Sequence, residues 1–157
     1  HLGQEDFPPS EARQLLGADK VIGVSVGSRD EARPKYLEVA DYVGVGPMFE
    51  TVTKQDAGHA VGPAQIRELV ALIDRPIVGI GGVNVENAVL VISAGADGVA
   101  VVAAIFGAND ITSASRELRI IVDAAISSQT RSRSPVGLQI GLQDRGGGCG
   151  LAFLIYI

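Results

Sequence analysis

Four short apolar runs, each bounded by glycine, proline or polar residues, constrain the fold of this chain more than any other feature. They cover residues 21–24, 42–45, 77–80 and 98–102. The runs do not alternate with polar residues, which is typical of strands that are buried on both faces. We therefore predict four strands of a parallel sheet that other elements cover.

Helical patterns lie between and after these strands. A proline in the first turn and apolar residues at helical spacing predict a helix over residues 63–73, and Asp110 is a suitable N-cap for a helix over residues 110–125. The other helical patterns are shorter and cover residues 10–16, 29–39 and 85–94. Pro34 is expected to kink or to begin the second of these.

The alternation of strands and helices predicts βαβ units, and therefore an α/β protein with a parallel sheet. This pattern fits either a barrel or a doubly wound sheet. In both architectures the loops that follow the strands gather at one edge of the sheet, where ligands bind. Polar residues in those loops are the first candidates for a functional site.

The loop after the second predicted strand combines hydroxyl groups, a lysine and glycines over residues 46–58. Thr51, Thr53 and Lys54 offer two hydroxyl donors and a positive charge, and glycines let backbone N–H groups approach a ligand. The segment is therefore a candidate site for an anionic group. A solvated polar loop without a ligand is the alternative reading.

Glycines also end the third strand, at residues 79–82, and begin the fourth, at Gly98. Phosphate sites of (β/α)8 barrels use loops after consecutive strands and a helix N-terminus, and glycine lets backbone N–H groups reach phosphate oxygens. Phosphate binding is the favoured interpretation, with a tight turn as the alternative. The pattern is not the dinucleotide fingerprint, because its third glycine would fall at Asn84.

The composition excludes several classes of protein. A net charge of −5 argues against a sequence-independent nucleic-acid binder, which needs a basic face. Cys149 is the single cysteine, so an internal disulfide framework is excluded and a cytoplasmic location is expected. The sequence has no apolar run of transmembrane length and no basic-then-apolar leader, so no membrane partner is expected.

The character of the chain changes near its end. Residues 127–135 are polar and resemble a linker, residues 141–150 are rich in glycine, and residues 151–157 are almost wholly apolar. We predict a boundary after residue 125, with a linker and an atypical tail over 126–157. The tail is expected to lie outside the fold, although one extra strand is an alternative.

Six motifs in order resemble the thiamine phosphate synthase family over residues 1–125. They are His1-Leu2-Gly3-Gln4-Glu5-Asp6, Gly23-Val24-Ser25, Gly44-Val45-Gly46-Pro47, Thr51-Val52-Thr53-Lys54, Gly79-Ile80-Gly81-Gly82 and Ala94-Gly95-Ala96-Asp97-Gly98-Val99-Ala100-Val101. The resemblance implies a (β/α)8 TIM barrel, of which this chain covers about the C-terminal half. It also implies a transferase that joins a pyrimidine methyl diphosphate to a thiazole phosphate, releasing diphosphate, with Mg²⁺ as cofactor.

The resemblance assigns roles to particular residues. Asp6 matches a Mg²⁺ ligand, and Ser25 and Lys54 match catalytic positions that contact the pyrimidine diphosphate. The positions that match contacts to the thiazole phosphate are Thr51, Val52, Thr53, Gly82, Val102 and Ala103. Taken alone, Asp6 would be a helix-leading cap, Ser25 a turn hydroxyl and Lys54 a solvated side chain. His1 and His59 are assigned no catalytic role, and Asn87 and Asp97 are expected to be structural.

The chain also departs from the family pattern. Glu50 stands where the family commonly has proline, and Ala103 stands where serine is frequent. The chain begins just after the expected end of the fourth barrel strand, so the Gln-x-Arg-x-Lys diphosphate segment and the Asn-Asp pair are missing from it. We therefore expect that it is not a complete enzyme by itself, and pairing of two copies into a homo-oligomer is a further expectation.

Three alternatives to the synthase stay open. A thiazole tautomerase-like enzyme shares the fold and the phosphate pocket without the diphosphate and Mg²⁺ contacts. A truncated half-barrel would bind a phosphorylated ligand without catalysis. A phosphate-binding barrel isomerase would need an acid–base pair in the strand-end loops, for which Asp6 and Glu50 are the candidates.

Overall fold

A computed structural model describes residues 1–51 and 59–129, together with the strand 153–155. Its sheet contains five strands in the order β1-β2-β3-β4-β5, and every neighbouring pair is parallel. The strands are β1 (Gly23–Ser25), β2 (Tyr42–Val45), β3 (Ile77–Ile80), β4 (Gly98–Ala100) and β5 (Phe153–Ile155). Sequential order without a reversal is the order of a barrel, since a doubly wound sheet reverses at its switch point. The predicted α/β fold with a parallel sheet is confirmed.

Six helices accompany the strands in the part of the chain that the structure describes. They are α1 (Pro9–Leu16), α2 (Pro34–Leu37), α3 (Gly62–Val70), α4 (Ala88–Ser93), α5 (Ala103–Phe106) and α6 (Ile111–Ser128). The predicted N-cap of α6 is confirmed, because Asp110 accepts a hydrogen bond from the backbone N–H of Ser113. That hydrogen bond lowers the pKa of Asp110, so the stabilisation it gives is present above the ordinary carboxyl pKa and is lost on acidification.

The strand predicted over 21–24 is β1 at Gly23–Ser25, the helix predicted over 63–73 is α3 at Gly62–Val70, and three further elements also differ from those predicted. The helix predicted over 29–39 is only α2, because Pro34 presets the first helical turn and holds the preceding Arg33 extended. The helix predicted over 85–94 begins at Ala88, since residues 84–87 form a hydrogen-bonded turn. The strand predicted over 98–102 ends at Ala100, and α5 begins at Ala103.

The end of the chain also differs from the sequence expectation. Ser127 and Ser128, predicted to open a linker, form the last residues of α6. Phe153–Ile155, predicted to lie outside the fold, is β5 and pairs in parallel with β4. For these three residues the alternative of one extra strand agrees with the structure and the expectation of a tail outside the sheet does not, and the boundary after residue 125 stays a prediction.

The two faces of the sheet bury different side chains. Residues that point towards the helices form the main core, which includes Val43, Val45 and Val99 with Ile66 and Leu118 from the helices. A smaller cluster lies on the opposite face and consists of Tyr42, Val78 and Ala100, with Ile80 packed against it. Side chains alternate between the faces along each strand, so both faces are apolar, as the runs without polar alternation predict.

Asp41, which precedes β2, is hydrogen-bonded to Ile22, which precedes β1. Asp41 accepts hydrogen bonds from Arg13 Nη2 and from the backbone N–H of Ile22, both at 2.6 Å. Its own N–H donates to the carbonyl of Ile22 at 2.7 Å. Asp97 makes the same pair of bonds with Ile77 before β4, each at 2.8 Å. The structural role expected of Asp97 therefore has a physical basis that Asp41 shares.

Replacing Asp41 by alanine should lower the free energy of unfolding by about 1–3 kcal/mol, because the N–H of Ile22 loses its side-chain acceptor and the guanidinium of Arg13 loses its ion-pair partner. Urea denaturation measures the change. The matched control is Asp123→Ala, since Asp123 also pairs with an arginine at 2.6 Å, but both partners are about half exposed. The control should cost less than about 0.5 kcal/mol, and equal losses would contradict the role given to Asp41.

Candidate active site at the carboxyl ends of the strands

The loops that follow β2, β3 and β4 surround an open cleft of about 500 Å³. It lies at the carboxyl ends of the strands, where parallel α/β proteins bind their ligands. Its lining residues come from the loops after β2 and β3 and from the start of α5, and they are Glu50, Thr51, Gly82, Val83, Asn84, Ala103 and Ala104. Three residues that the sequence assigns to one phosphate, Thr51, Gly82 and Ala103, thus meet in one cleft although they are far apart in sequence.

The glycine pair after β3 has a backbone that other residues rarely adopt. Gly81 has a φ of 91° and Gly82 a φ of 65°. A Cβ on Gly82 would lie 2.7 Å from the carbonyl oxygen of Glu50 and 2.8 Å from that of Phe49. The loop after β2 is also hydrogen-bonded to this segment, since the N–H of Phe49 donates to the carbonyl of Gly81 at 3.0 Å. Glycine is therefore required for the close approach of the two loops.

The side chain of Asn87 holds the loop after β3 through two hydrogen bonds to its backbone. Its amide nitrogen donates to the carbonyl of Gly82 at 3.0 Å, and its amide oxygen accepts from the N–H of Asn84 at 2.8 Å. Asn84 in turn accepts from the N–H of Glu86 at 2.9 Å. These side-chain bonds hold the turn between β3 and α4 in a fixed shape. The contacts agree with the structural role expected for Asn87.

Ser25 ends β1 and is not among the residues that line the cleft. Its hydroxyl oxygen lies 2.9 Å from Nε2 of His1, and Nδ1 of the same ring lies 3.0 Å from the hydroxyl of Tyr42. The sequence interpretation gave His1 no role and did not consider Tyr42. No sequence motif links His1, Ser25 and Tyr42. The sequence feature that could have indicated the contact is the pair of glycines Gly23 and Gly44, which leave space for the two rings.

Asp6 lies on a short loop that is attached to the end of β1. One carboxylate oxygen of Asp6 accepts from the N–H of Gly3 at 2.5 Å, and the side-chain amide of Gln4 donates to the carbonyl of Ser25 at 2.5 Å. Asp6 is exposed. Within residues 1–51 and 59–129, no cluster of three or more histidine, cysteine or acidic side chains could hold a metal ion.

The predicted site residues fall into three groups. Thr51, Gly82 and Ala103 line the cleft, and Val102 immediately precedes α5 beside it. Ser25 and Asp6 lie at the end of β1, linked through Gln4. Val52, Thr53 and Lys54 lie outside the described residues. The catalytic, binding and metal roles of all these residues stay predictions.

Comparison with known proteins gives consistent results. The sequence pattern of the thiamine monophosphate synthase family matches residues 1–105. The thiamine-phosphate synthase of Moorella thermoacetica is 51% identical over 125 residues, covering 80% of this chain and 60% of the relative. That of Methanosarcina barkeri is 47% identical over 123 residues, covering 78% of this chain and 54% of the relative.

A solved structure agrees with these sequences. The thiamine phosphate pyrophosphorylase of Pyrococcus furiosus superposes with a TM-score of 0.70 at 39% identity, over 80% of this chain and 59% of that protein. The chain thus spans less than two thirds of the length of the relatives it matches. No helix in the described part of the chain is long and apolar enough to cross a membrane.

Proposed function

Because this chain belongs to the thiamine monophosphate synthase family, we propose that it carries the thiazole phosphate site of a thiamine phosphate synthase. Such an enzyme joins a pyrimidine methyl diphosphate to a thiazole phosphate and releases thiamine phosphate and diphosphate. The observation that carries the proposal is the convergence of Thr51, Gly82 and Ala103 on one cleft. The family confirms the predicted TIM-barrel class, and the transferase activity and the substrates of this chain are part of the proposal.

The cleft has features that suit a phosphate monoester. Its volume of about 500 Å³ is within the range of small-molecule sites. Gly82 and Ala103 have no side chain beyond a methyl group, so backbone N–H groups can approach a bound oxygen. Thr51 adds a hydroxyl donor. Glu50 also lines the cleft, and its negative charge opposes an anion, so the backbone N–H groups and the hydroxyl of Thr51 have to offset it.

The pyrimidine diphosphate is proposed to lie near Ser25, Lys54 and Asp6. Mg²⁺ fits the donor set at Asp6, since a hard cation takes one or two protein carboxylates and completes its shell with substrate phosphates and water. When bound, Mg²⁺ would neutralise charge on the departing diphosphate. Lys54 would add a positive charge to the same group, and Ser25 a hydrogen bond. The protein's part is electrostatic stabilisation and orientation, without a protein nucleophile.

Two alternatives share the cleft but differ at the end of β1. A thiazole tautomerase-like enzyme or a non-catalytic half-barrel would bind the thiazole phosphate without using Asp6 and Lys54. The chain spans 60% or less of the length of the two relatives above. A half-barrel that binds the phosphate without catalysis is therefore the second alternative. Both proposed substrates are small molecules, and a cytoplasmic location is proposed from the single cysteine.

The test is a ³¹P NMR titration of the chain with thiazole phosphate, and separately with inorganic pyrophosphate and Mg²⁺. The proposal expects saturable binding of both, and competition between thiazole phosphate and thiamine phosphate. Binding of thiazole phosphate alone would favour the two alternatives. Absence of thiazole phosphate binding would remove the proposed function. Formation of thiamine phosphate from both substrates would establish activity.

Lys54→Ala should weaken the binding of Mg²⁺-pyrophosphate about tenfold and leave thiazole phosphate binding nearly unchanged, because Lys54 is proposed to contact only the leaving group. The same two titrations measure both affinities. Lys20→Ala is a suitable control, since Lys20 is exposed and precedes β1 at the opposite end of the sheet. Equal losses for both ligands would contradict the assignment of Lys54.

A further inference from the structure

Two rings lie in line with the hydroxyl of Ser25, since the ring of His1 contacts that hydroxyl and the hydroxyl of Tyr42 contacts the ring of His1. Ser25 pairs with Gly44 across β1 and β2, and Gly23 pairs with Tyr42. A Cβ on Gly44 would lie 2.7 Å from Cε1 of His1, and a Cβ on Gly23 would lie 2.1 Å from Cζ of Tyr42. The two glycines thus make room for the two rings.

The rings and the hydroxyl form a continuous chain of hydrogen bonds. Tyr42 Oη lies 3.0 Å from His1 Nδ1, and His1 Nε2 lies 2.9 Å from Ser25 Oγ. The ring centroids of His1 and Tyr42 are 5.5 Å apart. Neutral imidazole has one donor nitrogen and one acceptor nitrogen, so this chain can run in either of two directions.

The direction decides what Ser25 can offer to a ligand. If Tyr42 donates to Nδ1, the proton of His1 is on Nε2 and is donated to Ser25 Oγ, so the serine O–H is free to donate outwards. If the direction is reversed, the serine O–H is used on Nε2 and only oxygen lone pairs face a ligand. A phosphate oxygen accepts hydrogen bonds and does not donate them, so only the first direction lets Ser25 bind it.

We infer that Tyr42 and His1 are positioning residues that fix the direction of this chain, so that the hydroxyl of Ser25 donates to a diphosphate oxygen. This inference rests on the proposed function, which places the diphosphate at Ser25. A phenol is a stronger donor than an alkyl hydroxyl, which favours donation from Tyr42 to Nδ1. Burial raises the pKa of Tyr42 and keeps its proton in place at neutral pH.

The direction can be measured on the unaltered chain. A long-range ¹H–¹⁵N correlation spectrum at a pH where imidazole is neutral reports which ring nitrogen of His1 carries the proton. The inference expects a proton on Nε2 and a bare Nδ1. A proton on Nδ1 would overturn it, whatever the ligand affinities are, and this readout does not depend on any variant folding correctly.

Variants test whether the direction matters for binding. Ser25→Ala should weaken the binding of Mg²⁺-pyrophosphate about tenfold, the scale of one hydrogen bond to an anion. Tyr42→Phe should weaken it about threefold to tenfold and place part of the His1 population in the Nδ1–H form. The double variant should bind no more weakly than Ser25→Ala alone, since both changes remove the same interaction.

The matched control is Tyr36→Phe, because Tyr36 packs against the main core, whereas Tyr42 belongs to the cluster on the opposite face of the sheet. It should change neither the tautomer nor the affinity. Additive losses in the double variant would overturn the inference. If the unaltered chain does not bind Mg²⁺-pyrophosphate, the diphosphate part of the proposed function fails, and the tautomer still decides the direction of the hydrogen bonds.

Discussion

Gly82→Ala should lower the free energy of unfolding by about 2–4 kcal/mol and abolish binding of thiazole phosphate in the cleft. Two effects add at this position. The φ of 65° is strained for alanine, and the new Cβ would lie 2.7–2.8 Å from backbone oxygens of Glu50 and Phe49. Backbone atoms cannot rotate away as a side chain can, so the loops after β2 and β3 must separate. Urea denaturation measures the stability and ³¹P NMR measures the binding.

Gly17→Ala separates the two effects. Gly17 also has a positive φ, of 77°, but a Cβ there would meet nothing within 4 Å. It ends α1, at the other end of the sheet from the cleft, so the substitution should cost only the backbone strain, about 1–2 kcal/mol, and leave binding unchanged. Equal losses of stability at the two glycines would show that the contact of Gly82 with the neighbouring loop is not what requires glycine there.

The binding result also tests the location of the site. If Gly82→Ala remains folded and binds thiazole phosphate as the unaltered chain does, the phosphate does not lie in this cleft, and the proposed function loses its structural support. The comparison must be made at a temperature where both proteins are folded, so that a loss of affinity is not caused by unfolding.

The sequence was sufficient for the parallel sheet because buried parallel strands leave a strong local signal. The runs at 42–45 and 77–80 are strands with the predicted bounds. The pattern of apolar residues was less informative where a short strand and a short helix are close together in the sequence. The apolar residues of β4 continue without a break into α5, so periodicity alone could not show that the strand ends at Ala100.

The cleft could be anticipated because its residues follow successive strands, and parallel strands bring those loops together. That logic predicted a site in these loops, and the family resemblance assigned Thr51, Gly82 and Ala103 to one phosphate, which agrees with their place in one cleft. The hydrogen bonds that join Ser25 to His1 and His1 to Tyr42 could not be anticipated in the same way. They depend on the register of β1 against β2 and on the placement of residues 1–3 beside β1, and neither leaves a local pattern in the sequence.

The long helix α6 gives the second large expected effect. Leu118→Ala should lower the free energy of unfolding by about 2–5 kcal/mol, because Leu118 is 1% exposed and its removal leaves a cavity in the main core. Helix α6 packs against α4 and α5, so the loss should spread to the elements beside the cleft. Urea denaturation measures the change, and hydrogen exchange of α4 would show how far it spreads.

Ile120→Ala is the control on the same helix. It removes as many carbon atoms as Leu118→Ala, but Ile120 is 68% exposed, so the substitution should change stability by less than about 0.5 kcal/mol. The pair therefore compares burial at nearly constant helix propensity and side-chain size. A large loss at Ile120 would mean that a further part of the protein covers the outer face of α6. Similar small losses at both positions would mean that α6 does not belong to the stable core, and that the fold proper ends before Ile111.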